Sequence, residues 1–247
     1  MMSQSEQIIA LLPMKANSVR VKGKNFRDFC GKPLFRWILD TLLQVKEIDQ
    51  IVINTDARHI LAENGLVDTD RITIRDRKPE ICGDHVSMNL VLADDVANVP
   101  ADLYLMTHTT NPLVSADTIR KAIAAFQQAQ AAGHADSLFT VDKVQTRFYR
   151  GDSSPVNHDP DNLIPTQNLE PWFEENSNLY IFTASSFSKT NARIGIRPMM
   201  YEGPYLESID IDTAADWDFA MVAARFIQEQ QEVGQSRSSS PAPPSCA

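Results

Sequence analysis

Cysteine is scarce and odd in number in this 247-residue chain: Cys30, Cys82 and Cys246 share no CxxC or metal-ligand spacing. Neither a disulfide framework nor a cysteine zinc site is indicated. Basic residues are in deficit, 23 Lys and Arg against 32 Asp and Glu, for a net charge of −9. That balance disfavours nonspecific binding of nucleic acid or of an anionic membrane by the protein as a whole. No apolar run approaches a membrane span, and the one after the polar residues 1–7 is too short for a secretory signal peptide. A cytoplasmic protein with neither a membrane nor a nucleic-acid partner is expected. The chain also lacks both GxGxxG and GxxxxGK[ST], the two familiar phosphate-cradling loops.

What is present is enough apolar matter, 43% of residues, for one large core. Strand-like runs at 7–12, 50–54, 71–75, 102–107 and 137–141 alternate with helical patterns at 33–46, 57–64, 86–97 and 115–131. Such alternation predicts a Rossmann-like α/β fold, a mostly parallel sheet with helices on both faces. Near residue 142 the rhythm breaks, and residues 143–177 carry many Asp, Asn and Pro with little periodicity. A loop that long in a compact domain is functional or interfacial. Further on, 178–182 reads as a strand, 185–189 as a short helix, and 197–201 and 206–211 as extended. Thr213 is suited to N-cap a helix over 214–231. The expected domain is 1–232, followed by a disordered Ser/Pro-rich tail at 233–247.

Against the acidic background, residues 8–34 stand out. An apolar run stops at Pro13 and releases Lys15, Asn17, Ser18, Arg20, Lys22 and Lys24 into one loop, which then delivers Gly31-Lys32-Pro33-Leu34. The carboxyl end of a strand is where open α/β sheets bind ligands. Cations with small polar groups there suit a nucleoside triphosphate, although a solvated basic loop has the same composition. The second feature is Glu207-Ser208-Ile209-Asp210-Ile211-Asp212-Thr213. In a strand, Asp210 and Asp212 share one side and the isoleucines the other. Two adjacent carboxylates call for a cation, and Mg2+ held also by phosphate oxygens meets that need; a strand end followed by a helix cap needs none.

The two motifs, in this order, resemble the acylneuraminate (CMP-sialic acid synthetase-like) cytidylyltransferase family. Ser18, Lys24, Asn25 and Gly31-Lys32-Pro33-Leu34 match its first motif, with Lys15 in place of an arginine and Val19 in place of a lysine. The S-I-D-I-D-T run at 208–213 is its signature. Asn54-Thr55-Asp56 resembles its S-T-D beside the nucleotide, with Asp56 expected to N-cap the next helix. Arg77-Lys78-Pro79-Glu80 with Asp84 to Ser87 resembles its cytosine segment, where Arg77 donates to the base and Ser87 lies alongside; an ion pair of Arg77 with Asp76 or Glu80 is the alternative. Thr107 to Leu113 resembles its acceptor loop, with His108 replacing glutamine; the imidazole binds a sugar hydroxyl, assists proton removal, or is structural. Glu175-Asn176-Ser177-Asn178-Leu179-Tyr180 resembles E-N-G-x-x-Y with the glycine lost. Glu174 stands where some members hold an arginine for the sialic acid carboxylate, which puts sialic acid itself in doubt as acceptor.

The resemblance implies a nucleotidyltransferase fold and a CTP-dependent enzyme that forms a CMP-activated sugar acid and pyrophosphate. Lys15, Lys24, Asp210 and Asp212 are then catalytic, with Mg2+ on the two aspartates. Ser18, Asn25, Arg77 and Ser87 hold the nucleotide, and His108 and Asn176 the acceptor. It also implies a homodimer joined through 143–177. The alternatives are a related nucleotidyltransferase acting on a sugar phosphate or phosphonate, and a non-catalytic nucleotide-binding homologue.

Overall fold

The computed structural model describes residues 6–16 and 21–238, the last eight of these by backbone alone. Ser18 lies outside the described residues. The elements run β1 (Ile8–Leu11), a hairpin of β2 (Asp28–Phe29) and β3 (Lys32–Pro33), α1 (Leu34–Gln44), β4 (Gln50–Thr55), α2 (Arg58–Glu63), β5 (Ile72–Asp76), α3 (Met88–Asn98), β6 (Leu103–Met106) and α4 (Ala116–Ala131). They continue with β7 (Ser137–Val144), β8 (Trp172–Phe182), α5 (Ala184–Thr190), β9 (Pro198–Glu202) and α6 (Ala214–Ser238). None of the described helices is long and apolar enough to cross a membrane.

Seven strands form one sheet in the order β5-β4-β1-β6-β8-β7-β9. All pairings are parallel except those of β8, which runs antiparallel to both β6 and β7. The period-2 alternation of β1 divides the core. Ile8, Ala10 and Leu12 join Phe35, Ile38 and Leu42 of α1 and Ile119, Ile123 and Phe126 of α4 on one face. Ile9 and Leu11 join Leu92 of α3, Tyr104, Phe182 and Phe187 of α5 on the other. Each face is thus sealed by helices, as the strand–helix alternation requires.

A third cluster attaches α6 to the β2–β3 hairpin. Phe29 meets Trp37 and Trp217 edge to face, with centroids 5.4 and 5.3 Å away. The hairpin turns on Cys30 and Gly31, both at positive φ (51° and 92°), the two-residue geometry that matches the twist of paired strands. Thr213 caps α6 as expected, its Oγ1 accepting from Asp216 N at 3.2 Å while Asp216 Oδ2 accepts from Thr213 N at 2.7 Å. The helix then continues to Ser238, six residues into the segment expected as a tail.

Two local expectations are corrected. Residues 206–211 form no strand: Tyr205–Ser208 is a 3₁₀ turn, and residues 209–211 are extended chain outside the sheet. The excursion is also more regular than its composition suggests, because β7 and β8 run on together as far as Val144 and Trp172. Only 145–171 departs from the ladder, its base closed by Phe148 stacked on Trp172 at 5.0 Å.

Candidate active site

The chain leaves β1 toward β4 on one side of the sheet, whereas β6 lies on the other side of β1. That reversal opens a crevice at the carboxyl ends of β1 and β6. A cavity of about 530 Å³ sits there, walled by Lys15, Lys24 and Asn25, by His108 to Thr110, and by Asp210 and Asp212. Pro13 has no N–H to offer a neighbouring strand, so the chain leaves the sheet after a last bridge from Met14 to Thr55. Asn25 ties the two strand-end loops together: its Nδ2 donates to the Lys15 carbonyl at 2.8 Å, and its Oδ1 accepts from Thr109 Oγ1 at 2.7 Å.

Lys24 meets Asp210 and Asp212 here, from 186 or more residues away in sequence. The buried Lys24 ammonium donates to the Ile211 carbonyl and stands 3.6 Å from Asp212 Oδ1. Although no strand forms, the segment is held extended: Ile211 N donates to the Thr110 carbonyl at 2.9 Å, and Asn178 Nδ2 to the Glu207 carbonyl at 3.0 Å. Ile209 and Ile211 are buried against α6, while Asp210 and Asp212 both face the cavity. The two-residue alternation therefore survives without a ladder. Lys15 is half-buried, and its Nζ bridges to the Gly83 carbonyl at 2.8 Å and Asp84 Oδ1 at 3.4 Å.

Asp56 departs from its expected role, and the remaining site residues are placed at the rim of this cavity or behind it. Asp56 does not cap α2; its Oδ1 accepts from Ala16 N at 2.7 Å and so holds the basic loop, while Thr55 Oγ1 accepts from Ala57 N. Arg77 is buried and absent from the cavity wall. Its Nε donates to Asn54 Oδ1 at 2.9 Å, and its Nη2 to the Asn54 and Met14 carbonyls at 2.8 and 3.3 Å. It pairs with neither Asp76, which binds Arg58, nor Glu80. Ser87 is exposed at the start of α3, accepting from Asn89 N at 3.3 Å, and Met88 beside it lines the cavity. Asn176 lines a second cavity of about 620 Å³, which adjoins the first through Ser177 and Asp210. The pairing of β7 with β8 slips at this point, from Phe139 opposite Tyr180 to Val141 opposite Glu175. The bulge bends Asn176 and Ser177 toward the cavities. Ser177 keeps a φ of +58° where the resembling motif has glycine, a strain of about 1 kcal/mol.

Two side chains set the electrostatics of the far end. Burial, with the charges of Arg193 and Lys24, pushes the His108 pKa down to about 3. The ring is therefore neutral at pH 7. No motif in the sequence marks Arg193, which sits in the turn between α5 and β9. Its guanidinium lies 3.7 Å from the centroid of the Tyr180 ring, with Nη1 3.4 Å from His108 Nε2 and Nη2 3.3 Å from Glu175 Oε1.

A parallel-sheet crevice lined by lysines and paired carboxylates defines a nucleotide-handling α/β protein. A family model described as Cytidylyltransferase matches residues 9–234, and the chain belongs to that family of nucleotidyltransferase enzymes. It is 26% identical to the CMP-N,N'-diacetyllegionaminic acid synthase of Legionella pneumophila, over 90% of this chain and 98% of that protein. It is 21% identical to the pseudaminic acid cytidylyltransferase of Campylobacter jejuni, over 90% of this chain and 97% of that protein. Among solved structures, CMP:2-keto-3-deoxy-manno-octonic acid synthetase complexed with CTP shares the fold with a TM-score of 0.61 at 17% identity, covering 90% of this chain and 99% of that one.

Proposed function

We propose that this enzyme transfers CMP from CTP to the anomeric hydroxyl of a 2-keto-3-deoxy sugar acid. The hydroxyl oxygen attacks the α-phosphorus, the bond from that phosphorus to the bridging oxygen of the β-phosphate breaks, pyrophosphate leaves, and the hydroxyl proton passes to solvent. The observation that carries the reading is the meeting of Lys15, Lys24, Asp210 and Asp212 around one switch-point cavity. The near full-length likeness to two CMP-sugar acid-forming enzymes supports the acceptor class.

Transfer at phosphorus depends on positioning and charge neutralisation more than on covalent help from the protein. Lys15, bridging the loops at the nucleotide end, exchanges Asp84 for a phosphate oxygen. Lys24 is already desolvated and faces the reacting phosphate beside Asp212. Ser18 and Asn25 orient the triphosphate and ribose, Ser87 borders the base, and Arg77 braces that wall from behind. His108, neutral, orients an acceptor hydroxyl by hydrogen bonding; with a pKa near 3 it is a poor proton acceptor. Asn176 meets the acceptor from the second cavity.

The donor set fits magnesium: Asp210 and Asp212 are hard oxygen ligands in one wall. No group of three or more metal-binding side chains occurs among the described residues. An ion held by these two carboxylates would need further ligands from phosphate and water, as Mg2+ characteristically takes. When bound, it supplies neutralisation at the α-phosphate and lowers the pKa of the hydroxyl. We read the assembly as a homodimer, on the strength of exposed apolar residues at Trp172 and Phe173 of β8 and Phe219, Val222 and Phe226 of α6.

The test is pyrophosphate release from CTP with a panel of eight- and nine-carbon 2-keto-3-deoxy acids and of sugar phosphates. Turnover is expected with an acid, to require Mg2+, and to fall on the order of 100-fold or more in Asp210→Asn and Asp212→Asn, with stability little changed. Release with a sugar phosphate alone overturns the acceptor class. Near-wild-type turnover of both variants at limiting Mg2+ overturns the metal role.

A further inference from the structure

Among the described residues three cations line the first cavity, and two of them lie together at one end: Lys15 on Gly83 and Asp84, and Lys24 on Ile211 and Asp212. Arg193 stands apart from them, beside His108, Ser177 and the passage to the second cavity. Its position is built. Arg193 N donates to Asn89 Oδ1 at 3.3 Å, Gly195 N to Ser137 Oγ at 2.8 Å, and Ile196 N and Arg197 N to the Asp136 carboxylate at 3.1 and 2.9 Å. A Cβ at Gly195 would lie 2.3 Å from Asp136 Oδ1, so only glycine lets this loop close on Asp136. The guanidinium carbon lies over the Tyr180 ring, and the side chain is one-fifth exposed. A guanidinium held over an aromatic ring in the wall of a cavity is suited to two-point binding of a carboxylate.

The geometry points to Arg193 as the specificity-determining residue that takes the carboxylate of the acceptor acid, with Glu175 as a resident counter-ion that this carboxylate displaces. The inference rests on the acceptor class given above. Glu175 keeps a partner after the exchange, because the Tyr180 hydroxyl also donates to its Oε1. Two carboxylates then share one neighbourhood, so Glu175 lowers acceptor affinity while excluding weaker anions from an empty site. His108 assists: a guanidinium only donates, so Nε2 accepts from Arg193 and Nδ1 carries the proton, a donor for the acceptor.

The experiment measures steady-state kinetics with CTP and the eight- and nine-carbon 2-keto-3-deoxy acids, each beside its neutral C1 amide. Arg193→Gln is expected to raise acceptor KM about 10- to 100-fold, to erase the preference for acid over amide, and to change CTP KM by about two-fold or less. Arg193→Lys recovers part of that preference. Glu175→Gln lowers acceptor KM by about 3-fold or more, the opposite direction, which a merely structural pair would not produce. A wild type that turns over none of the acids overturns the reaction and this subsite together. A wild type that is active while Arg193→Gln keeps its acid-over-amide ratio overturns the subsite alone. Should Arg193→Gln fail to bind CTP by calorimetry, Glu175→Gln decides, and an unchanged or raised acceptor KM refutes the exchange.

Discussion

His108 stands between Arg193 and Lys24 in a desolvated wall, and both the burial and the charges oppose a third positive charge. Its folded-state pKa of about 3 lies below the ordinary 6.5, so between those values the unfolded chain binds a proton that the folded one does not. Stability from this group is full above pH 6.5 and is lost as pH falls toward 3. In the free enzyme the ring resonances of His108 are therefore expected to show no titration between pH 5 and 8 by NMR. A midpoint above pH 6 would refute the neutral assignment and restore the imidazole as a candidate base. His108→Gln should also flatten the acid limb of the stability curve.

Between elements, one buried polar network sets the path of the chain where β1 ends. Asp95 of α3 accepts from Asn54 Nδ2 at 2.8 Å and from Arg75; Asn54 Oδ1 accepts from Arg77; Arg77 reaches the Met14 carbonyl where β1 ends. Burial raises the Asp95 pKa to about 6 and lowers that of Arg77. The network is thus a costly arrangement sustained by mutual satisfaction. Arg77→Ala removes the donor to Asn54 Oδ1 and to the Met14 carbonyl, and one of two donors to the Asn54 carbonyl, which Met14 N also serves, and is expected to cost about 2–4 kcal/mol in urea unfolding. CTP binding should weaken with it, while the ratio of CTP to ATP binding stays unchanged. Full stability with loss of that ratio would instead assign Arg77 to base reading.

For the molecule as a whole, the apolar stripe of α6 and the base of the β7–β8 excursion border the same second cavity, through Phe219, Lys143 and Val144. A second copy packed there by twofold symmetry would cover the stripe and close the acceptor side of each site. Light scattering is expected to give a dimer. Shortening residues 150–165 should give a monomer that still binds CTP but turns over acceptor poorly. A fully active monomer of the intact chain at working concentration would rule the arrangement out.

Much of this was local and therefore legible. Strand and helix periods, the stop at Pro13, the Thr213 cap and the alternation that aims Asp210 and Asp212 one way each depend on neighbours in the chain. What the sequence could not determine depends on residues distant in the chain. Period-2 patterning is the same for either strand direction, so only pairing with β6 and β7 made β8 antiparallel and lengthened the excursion's base. Asp56 found Ala16, Arg77 found Asn54 and Met14, and Arg193 found Tyr180 and Glu175, none of them spaced in any pattern along the chain. Composition and spacing determined that a sheet would offer cations and carboxylates at its carboxyl ends. Tertiary folding decided which of those charges face the cavity, because a side chain's partner is set by which loops meet there and not by its place in the sequence.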